Sequence, residues 1–299
     1  MLRANHRWLR WCVGIYSCAV LAFALAAWAQ TNGLAEIRAQ AEQGDAESQF
    51  VLGTMFARGE GVARDCAAAE RWYLAAAEQN LVLAQFYLGA LYDSTGPESM
   101  RDAAAALKWY RKAADRGVAP AQCALGLMYE NGRGGATNAA AAAVWFHKAA
   151  EKNFAEAQYR LGLIYDQTNS PAADCAEAVK WFAKASGQGH AGAQFRLGTL
   201  YYDGRGVTQD YVVAARWFRK AAEQGTGAAC FNLGLMCGLG QGMEADSVEI
   251  YKWYTVAMWK GSERASENRA ALAEDMKPEE IAEGRRRAVE WAKEKGVTH

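Results

Sequence analysis

The sequence has few prolines, few histidines and no excess of charge of either sign. Four prolines in 299 residues leave little room for a disordered linker. Basic and acidic residues both number 33, so bulk electrostatics do not indicate a nucleic-acid partner. Since 52% of the residues are apolar, the chain is able to bury a large core, and we expect it to be folded over most of its length.

Sequence patterns of common hydrolytic sites are also absent. The chain contains no His-Glu-x-x-His, Gly-x-Ser-x-Gly or Ser-x-x-Lys, which are typical of zinc hydrolases and serine nucleophiles. Beyond residue 29 the histidines are His147, His190 and His299, and each is interpreted as a solvated or helix-capping side chain. We therefore expect no catalytic residue, no metal site and no cofactor.

The seven cysteines do not form a disulfide framework. Five of them follow residue 29, an odd number, and no Cys-x-x-Cys pair is present for zinc or redox chemistry. The last two are seven residues apart on one predicted helix, about 10 Å along its axis, which is too far for a disulfide. We interpret all five as small buried apolar residues: Cys66, Cys123, Cys175, Cys230 and Cys237.

Residues 1–29 differ from the rest of the chain. Three arginines within the first ten residues precede an apolar run at 11–28, and Ala-Trp-Ala at 27–29 fits a signal-peptidase site. We predict cleavage after Ala29 and export to the periplasm or the medium. The alternative is an uncleaved membrane anchor, because about 18 apolar residues are near the lower limit for a spanning helix.

A repeat of about 36 residues runs through most of the chain. The dipeptide Leu-Gly recurs in phase six times, with spacings of 36, 37, 36, 36 and 36 residues, and a tryptophan follows at the same period. A period this regular is typical of stacked helical units. The leucines are Leu52, Leu88, Leu125, Leu161, Leu197 and Leu233, and the tryptophans are Trp72, Trp109, Trp145, Trp181, Trp217 and Trp253.

Each copy contains a first helix, helix A, that carries the Leu. A small residue four positions before the Leu and, in five copies, an aromatic residue four positions after it lie on the same helical face. The glycine after the Leu costs about 1 kcal/mol of helix propensity relative to alanine. Its presence in six copies predicts close packing where a Cβ would not fit: Gly53, Gly89, Gly126, Gly162, Gly198 and Gly234.

The second helix, helix B, is marked at both ends. Asp or Asn stands seven residues before each Trp and predicts an N-cap, and Asn or Gly stands eight residues after it and predicts a left-handed C-terminal residue. The Trp and the aromatic residue after it are interpreted as core, rather than as a sugar-binding platform. The N-cap positions are Asp65, Asp102, Asn138, Asp174, Asp210 and Asp246, and the C-terminal positions are Asn80, Gly117, Asn153, Gly189, Gly225 and Gly261.

The loop between helices A and B varies. Residues 203–210, DGRGVTQD, keep a Gly-x-Gly that copies one and three share, whereas copies two and four lose it. The turn joins two helices and lacks the Lys-Ser/Thr of a phosphate-binding loop, so Gly204 and Gly206 are interpreted as turn residues. The divergent loops of copies two and four are better candidates for function.

These residues resemble the Sel-one-like repeat (SLR) family of α/α solenoids. The pattern A-x-A-Q-x-x-L-G-x-x-Y-x-x-G-x-G-V-x-x-D-x-x-x-A-x-x-W-F-x-x-A-A-x-x-G is nearly whole at 191–225, and the resemblance covers about 46–261. Some secreted members have a disulfide in each repeat. Only Cys230 matches such a pair, with Ala222 at the other position, so the chain departs from that subgroup.

The resemblance implies an all-α fold, a right-handed α/α solenoid of six helix-turn-helix repeats. The predicted segments are a signal peptide at 1–29, a half-repeat helix at 30–45 and capping helices at 262–299, expected at about 262–275 and 278–295. The six repeats between them are placed at 46–80, 81–117, 118–153, 154–189, 190–225 and 226–261.

The resemblance also implies a non-enzymatic scaffold that binds a protein or peptide, with membrane contact limited to an uncleaved signal segment. The alternative is a hydrolase acting on cell-wall or β-lactam-like compounds. Since shared residues hold the repeats together, binding is expected where the copies differ, such as the position before each Leu. We predict Tyr87, Arg160 and Arg196 as partner-binding residues; the alternative is that they are ordinary exposed residues.

Overall fold

A computed structural model describes residues 33–167 and 172–297. These residues contain α-helices and short turns of other helical types, and no β-strand. The chain divides into two compact units, with the boundary between residues 154 and 155. The predicted signal peptide lies outside the described residues, and among the helices described none is long and apolar enough to cross a membrane.

The first unit contains the half-repeat helix and three helix pairs, and consecutive helices pack against each other. The bounds are α1 Leu34–Glu42, α2 Ala46–Arg58, α3 Cys66–Glu78, α4 Val82–Ala90, α5 Ala103–Asp115, α6 Ala119–Asn131 and α7 Ala139–Glu151. Helices α2, α4 and α6 are A helices, and α3, α5 and α7 are B helices.

The second unit contains three further pairs and two terminal helices, which both pack against α13. The terminal helices lie within one residue of their expected ends. The bounds are α8 Ala155–Tyr165, α9 Ala172–Gly187, α10 Ala191–Asp203, α11 Tyr211–Glu223, α12 Gly227–Gly238, α13 Ser247–Trp259, α14 Glu263–Glu274 and α15 Pro278–Lys295.

The predicted ends of helix B are confirmed except at one position. All six C-terminal residues have positive φ, between 61° and 87°. Five of the six predicted N-caps accept a backbone amide, namely Asp65, Asp102, Asn138, Asp210 and Asp246. The prediction for Asp174 is wrong, because α9 begins at Ala172 and places Asp174 in its first turn. Two alanines, the strongest helix formers, precede the aspartate and extend the helix.

The glycine after each Leu lies under an aromatic ring, which confirms the predicted steric requirement. A Cβ at these six positions would stand 2.4–2.8 Å from the ring of the residue after the Trp in helix B of the same repeat. Those six rings are all buried. The contact is therefore between helix A backbone and a helix B ring. The rings belong to Tyr73, Tyr110, Phe146, Phe182, Phe218 and Tyr254.

A glutamine three residues before the Leu joins neighbouring repeats in the first unit. Its side-chain amide donates to a carbonyl in the last turn of the preceding helix B or half-repeat helix, at 3.1–3.2 Å. These bonds cross from one repeat to the next and hold the stack in register. The donors are Gln49, Gln85 and Gln122, and the acceptors are the carbonyls of Ala41, Ala77 and Ala114.

The acceptor atom of this glutamine is satisfied only where helix B ends in a second glutamine. Gln79 donates to Gln49 Oε1 at 2.8 Å, and the pairs Gln188–Gln158 and Gln224–Gln194 repeat the bond. Repeats two and three have Arg116 and Lys152 at that end. There the buried Oε1 atoms of Gln85 and Gln122 have no partner among the described residues.

We expect Arg116→Gln to stabilise the protein. The new amide would donate to Gln85 Oε1, and one satisfied buried acceptor is worth about 1 kcal/mol. Urea denaturation followed by circular dichroism measures the gain. Lys260→Gln is the matched control, because Cys230 occupies the glutamine position of that repeat and offers no amide. An equal gain in both variants would contradict the hydrogen-bond explanation.

The extra residue of repeat two is accommodated at the end of helix A. Helix α4 continues into a π-helical turn, Leu91–Thr95, and a 3₁₀ turn follows at Glu98–Met100. Asp93, within the π turn, is buried and forms an ion pair with Arg133 in the loop of repeat three. The divergent loop of repeat two is thus an ordered structure. The corresponding loop of repeat four lies partly outside the described residues.

The cysteines of the described residues are all free thiols. Cys123, Cys175, Cys230 and Cys237 are buried, as expected. Cys66 is only half-buried, which corrects the prediction for that residue. It is the first residue of α3 and packs against the edge of the hydrophobic core of the first unit.

Candidate functional site

Two cavities open between successive A helices, one in each unit, and they occupy equivalent positions of the repeat. The first lies between repeats one and two, and the second between repeats five and six. Counted from the Leu of each repeat, Ala57, Tyr87 and Leu91 in the first correspond to Tyr202, Asn232 and Met236 in the second. Both cavities are therefore lined by the variable residue that precedes the Leu.

The first-unit cavity has a volume of about 150 Å³ and a mixed apolar and basic lining. Apolar surface comes from Ala57, Leu91 and two tyrosine rings, whereas two arginines supply positive charge. The π-helical turn contributes two of the lining residues. The full lining is Ala57, Arg58, Arg64, Cys66, Tyr73, Tyr87, Leu91 and Thr95.

The second-unit cavity is smaller, about 90 Å³, and its lining carries no charge. It is formed by Tyr202, Asn232, Leu235 and Met236. The equivalent cavities of the two units therefore differ in charge, since the first is lined by two arginines and the second by no charged residue.

Tyr87 is buried, at 6% exposure, and lies in an aromatic cluster of the first unit. Its ring centroid is 5.3 Å from that of Phe50 and 5.9 Å from that of Tyr73. The alternative that Tyr87 is an ordinary exposed residue is therefore wrong. Tyr87 also lines the first-unit cavity.

Arg160 belongs to a buried polar network in the second unit. Its Nε donates to Glu156 at 2.7 Å, and His190 Nε2 lies 3.0 Å from the other carboxylate oxygen. His190 Nδ1 accepts the amide of Ala193, which confirms the capping role expected for this histidine. Because Nδ1 accepts, Nε2 carries the proton and donates to Glu156.

The network holds Glu156 ionised. Burial raises the pKa of Glu156, but the hydrogen bond from His190 and the charge of Arg160 outweigh it, and the net pKa lies below its usual value of 4.5. Because the folded-state pKa is lowered, the ionised carboxylate stabilises the fold above pH 4.5. That contribution is lost as the pH falls through the lowered pKa.

We expect Glu156→Gln to lower the free energy of unfolding by about 1–2 kcal/mol at pH 7, since one charge-assisted acceptor is lost. The difference from the unmodified chain should shrink as the pH falls from 4.5 towards the lowered pKa, because the unfolded chain binds a proton at Glu156 before the folded state does. Urea denaturation at several pH values between 7 and 3 measures both quantities. A difference that stays constant with pH would contradict the lowered pKa.

Arg196 is half-buried and lies near a second acidic group of the second unit. Asp166 forms an ion pair with Arg205 at 2.9 Å. Burial raises the pKa of Asp166 and outweighs the lowering effect of Arg205 and Arg196. Arg160 and Arg196 both stand at the variable position before the Leu, and each interacts electrostatically with a carboxylate of its own unit.

Arg205, in the DGRGVTQD loop, connects its repeat to the preceding one. This arginine reaches Asp166 of the preceding repeat, just as Arg133 of the third loop reaches Asp93. Gly204 and Gly206 have φ of 70° and 71°, as the turn interpretation requires. A Cβ on Gly206 would stand 2.4 Å from the backbone of Cys175, so the loop packs directly on the preceding helix B.

The tryptophans of helix B are core residues in four of six repeats. Trp109, Trp145, Trp181 and Trp253 are buried, whereas Trp72 and Trp217 are half-buried, which corrects the uniform prediction. In repeats two to five a lysine three residues later lies over the indole, 4.0–4.4 Å from the ring centroid. The lysine covers the ring face that a sugar would need.

No group of three or more His, Cys, Asp or Glu side chains in the described part of the chain is placed to hold a metal ion. Glu156 and His190 lie 3.0 Å apart in this part of the chain. Glu156 also accepts from Arg160, and His190 Nδ1 accepts the amide of Ala193.

Six copies of the Sel1 repeat family model match the chain, at residues 46–81, 82–118, 119–154, 155–190, 191–226 and 227–257. The chain belongs to the Sel1 repeat family. The resemblance noted on sequence motifs and the α/α repeat fold are thereby confirmed. Sel1 repeat proteins are generally scaffolds for protein–protein interaction.

Two solved structures of Sel1 repeat proteins are similar to this one. Protein c5321, a protective antigen present in uropathogenic Escherichia coli strains and displaying an SLR fold, is 32% identical with a TM-score of 0.82 over 93% of this chain. The chain spans 61% of the length of that protein. A Sel1 repeat protein from Oxalobacter formigenes is 32% identical with a TM-score of 0.63, covering 72% of this chain and 86% of its own. No curated protein matches the chain.

Proposed function

We propose that this Sel1 repeat protein is an exported, non-enzymatic scaffold that binds a protein or peptide between its A helices. It would serve as an adaptor, a regulator or an envelope-assembly factor. The observation that carries the proposal is the equivalence of the two cavities. Each is lined by the variable residue before the Leu, at 87 in one unit and at 232 in the other.

The distribution of sequence variation supports this choice of surface. Residues that recur in every copy are engaged in the stack, as the glycine–ring contacts and the capped ends of helix B illustrate. The residue before the Leu changes between copies without disturbing those contacts. Variation at one place in a constant frame is what a repeat scaffold needs in order to recognise a particular partner.

Export is supported by the sequence of residues 1–29, with its basic start, apolar run and Ala-Trp-Ala end. If the segment is cleaved as proposed, N-terminal sequencing of the exported protein should begin at Gln30. A product that still begins at Met1 would favour the membrane-anchored alternative.

Site-specific photo-cross-linking tests the binding surface. A photoreactive amino acid placed at Arg196, at the variable position, should give an adduct of one defined mass with an envelope protein. The same amino acid at Val212, which is 48% exposed on helix B of the same unit, is the matched control and should not. Equal adducts at the two positions would contradict a specific surface between the A helices.

Replacing Tyr87, Arg160 and Arg196 together tests the predicted residues. We use Tyr87→Leu, Arg160→Gln and Arg196→Gln, which retain the bulk of each side chain. We expect the adduct formed from Asn232, an unaltered residue at the variable position of repeat six, to be lost. Circular dichroism verifies the fold of the triple variant.

No observation in the described residues favours the alternative function, a hydrolase acting on cell-wall or β-lactam-like compounds. We therefore expect a fluorogenic β-lactam to remain intact when it is incubated with the purified protein.

A further inference from the structure

The first-unit cavity has the size and walls of a site for one aromatic ring. A cavity of about 150 Å³ lined by apolar side chains is known to hold benzene. Here the rings of Tyr73 and Tyr87 stand 5.9 Å apart with their planes at 40°. Aromatic rings attract one another in tilted and edge-on arrangements at such distances. A guest ring would therefore meet two aromatic walls.

Two arginines, Arg58 and Arg64, line the cavity, and they differ in their ion pairing. Arg58 pairs with Glu60 at 3.5 Å, and the carboxylate of Asp65 accepts the amides of Ala67 and Ala68 at the start of α3. Arg64 is exposed and forms no ion pair within the described residues. A guanidinium group binds carboxylates through two parallel hydrogen bonds, so Arg64 favours an anionic group at the mouth.

The wall contributed by repeat two is peculiar to this cavity. Leu91 and Thr95 belong to the π-helical turn that accommodates the extra residue, and the ion pair between Asp93 and Arg133 holds that turn. Single π turns within α-helices occur frequently at functional sites. The second-unit cavity is lined from regular helices and has no charged residue in its lining.

We propose that the first-unit cavity binds an aromatic side chain of the partner, with a carboxylate next to it in the partner sequence. The ring enters the cavity and packs against Tyr73, Tyr87 and Leu91, and the carboxylate meets Arg64 and Arg58. This assignment rests on the proposed function and specifies the chemistry of one of its sites. It predicts that an acidic flank is required, because a basic flank would face the same guanidinium groups.

Cys66 provides a direct test, because it lines the cavity and is half-buried, whereas Cys123 of the same unit is buried. The full chain is treated with iodoacetamide and the alkylation of each cysteine is followed by peptide mapping. The probe is the peptide acetyl-Glu-Phe-Glu-amide. Acetyl-Glu-Ala-Glu-amide lacks the ring, and acetyl-Lys-Phe-Lys-amide reverses the charge.

We expect the Glu-Phe-Glu peptide at about 10 mM to slow alkylation of Cys66 at least threefold, which corresponds to a Kd of a few mM or tighter. The other two peptides should slow it less than 1.5-fold. Arg64→Glu should abolish the protection, whereas Arg71→Glu, a matched charge reversal at an exposed position of α3, should retain it. Circular dichroism verifies that both variants are folded.

Equal protection by the Glu-Phe-Glu and Lys-Phe-Lys peptides, or protection that survives Arg64→Glu, would overturn the proposal, as would no protection by any peptide. The photo-cross-linking result at position 196 then separates two failures. If the defined adduct still forms there, the scaffold function stands and only this assignment of the first-unit cavity falls. If the adduct is also absent, the proposed function fails with it.

Discussion

Replacing Trp253 by alanine should destabilise the protein by about 3–5 kcal/mol, the usual cost of deleting a fully buried large aromatic side chain. Trp253 is 2% exposed and lies on α13, against which both terminal helices pack. Its ring centroid is 5.2 Å from that of Trp291 on α15, in an edge-on arrangement. The substitution therefore removes core volume and also the main aromatic contact to the last helix.

Urea denaturation followed by circular dichroism measures the loss, and amide hydrogen exchange locates it. Because stability in stacked repeats is carried between neighbours, α15 should lose protection before the helices of repeats four and five. Trp217→Ala is the matched comparison. Trp217 occupies the same position of the preceding repeat but is only half-buried, so we expect roughly half the effect. An unchanged denaturation midpoint for Trp253→Ala would show that the indole is not part of the core.

Gly162→Ala should also destabilise the protein, by up to about 2 kcal/mol net. The added Cβ would stand 2.4 Å from two carbons of the Phe182 ring, which is fully buried and unable to move without disturbing its neighbours. Such overpacking typically costs 1–3 kcal/mol, and this contact is shorter than at the other five glycines. The cost exceeds the gain of about 1 kcal/mol in helix propensity.

Gly187→Ala is the matched control for this prediction. Gly187 is helical, lies in α9 of the same unit, and has nothing within 4 Å of the position a Cβ would take. Alanine there should be neutral or stabilise by up to about 1 kcal/mol. The pair separates propensity from packing, because the two variants make the same chemical change. If both proved equally stable, the ring over Gly162 would not explain the recurrent glycine.

The repeat made much of this fold accessible to sequence reasoning. Because the six copies in one chain can be aligned with one another, a residue that the packing of the repeats requires is recognisable by its recurrence. The N-caps and the left-handed ends of helix B were predicted because they depend on residues within one turn of the chain. The single failure, at Asp174, has the same local origin, since two alanines upstream changed where the helix begins.

The recurrent glutamine shows where that reasoning reaches its limit. Its conservation between copies was visible, but its role was not, because the carbonyl it binds belongs to the preceding repeat. The same is true of Arg205, which looked like part of a turn and in fact pairs with Asp166 of the repeat before it. The glutamine binds a carbonyl eight residues upstream, across the loop between two repeats, and Asp166 lies about 40 residues before Arg205. Neither contact lies within one helix, so only the packed structure identifies it.

For the candidate site, too, the sequence indicated the residues but not their surroundings. Variation at the residue before the Leu singled out Tyr87, Arg160 and Arg196. Burial could not be deduced, because whether that position faces solvent or a cavity depends on the side chains of two adjacent repeats. The structure places Tyr87 in a cavity wall and Arg160 against Glu156.

By itself, the sequence determined the all-helical class, the six repeats, the ends of helix B and the steric role of the glycines. These follow from periodicity and from short-range backbone preferences, which act within a single repeat. Tertiary structure alone decided which ring lies over each glycine, how the extra residue of repeat two becomes a π-helical turn, and where cavities open. Those outcomes depend on how side chains within a repeat and between neighbouring repeats fill the available space, a property of close packing that no local pattern encodes.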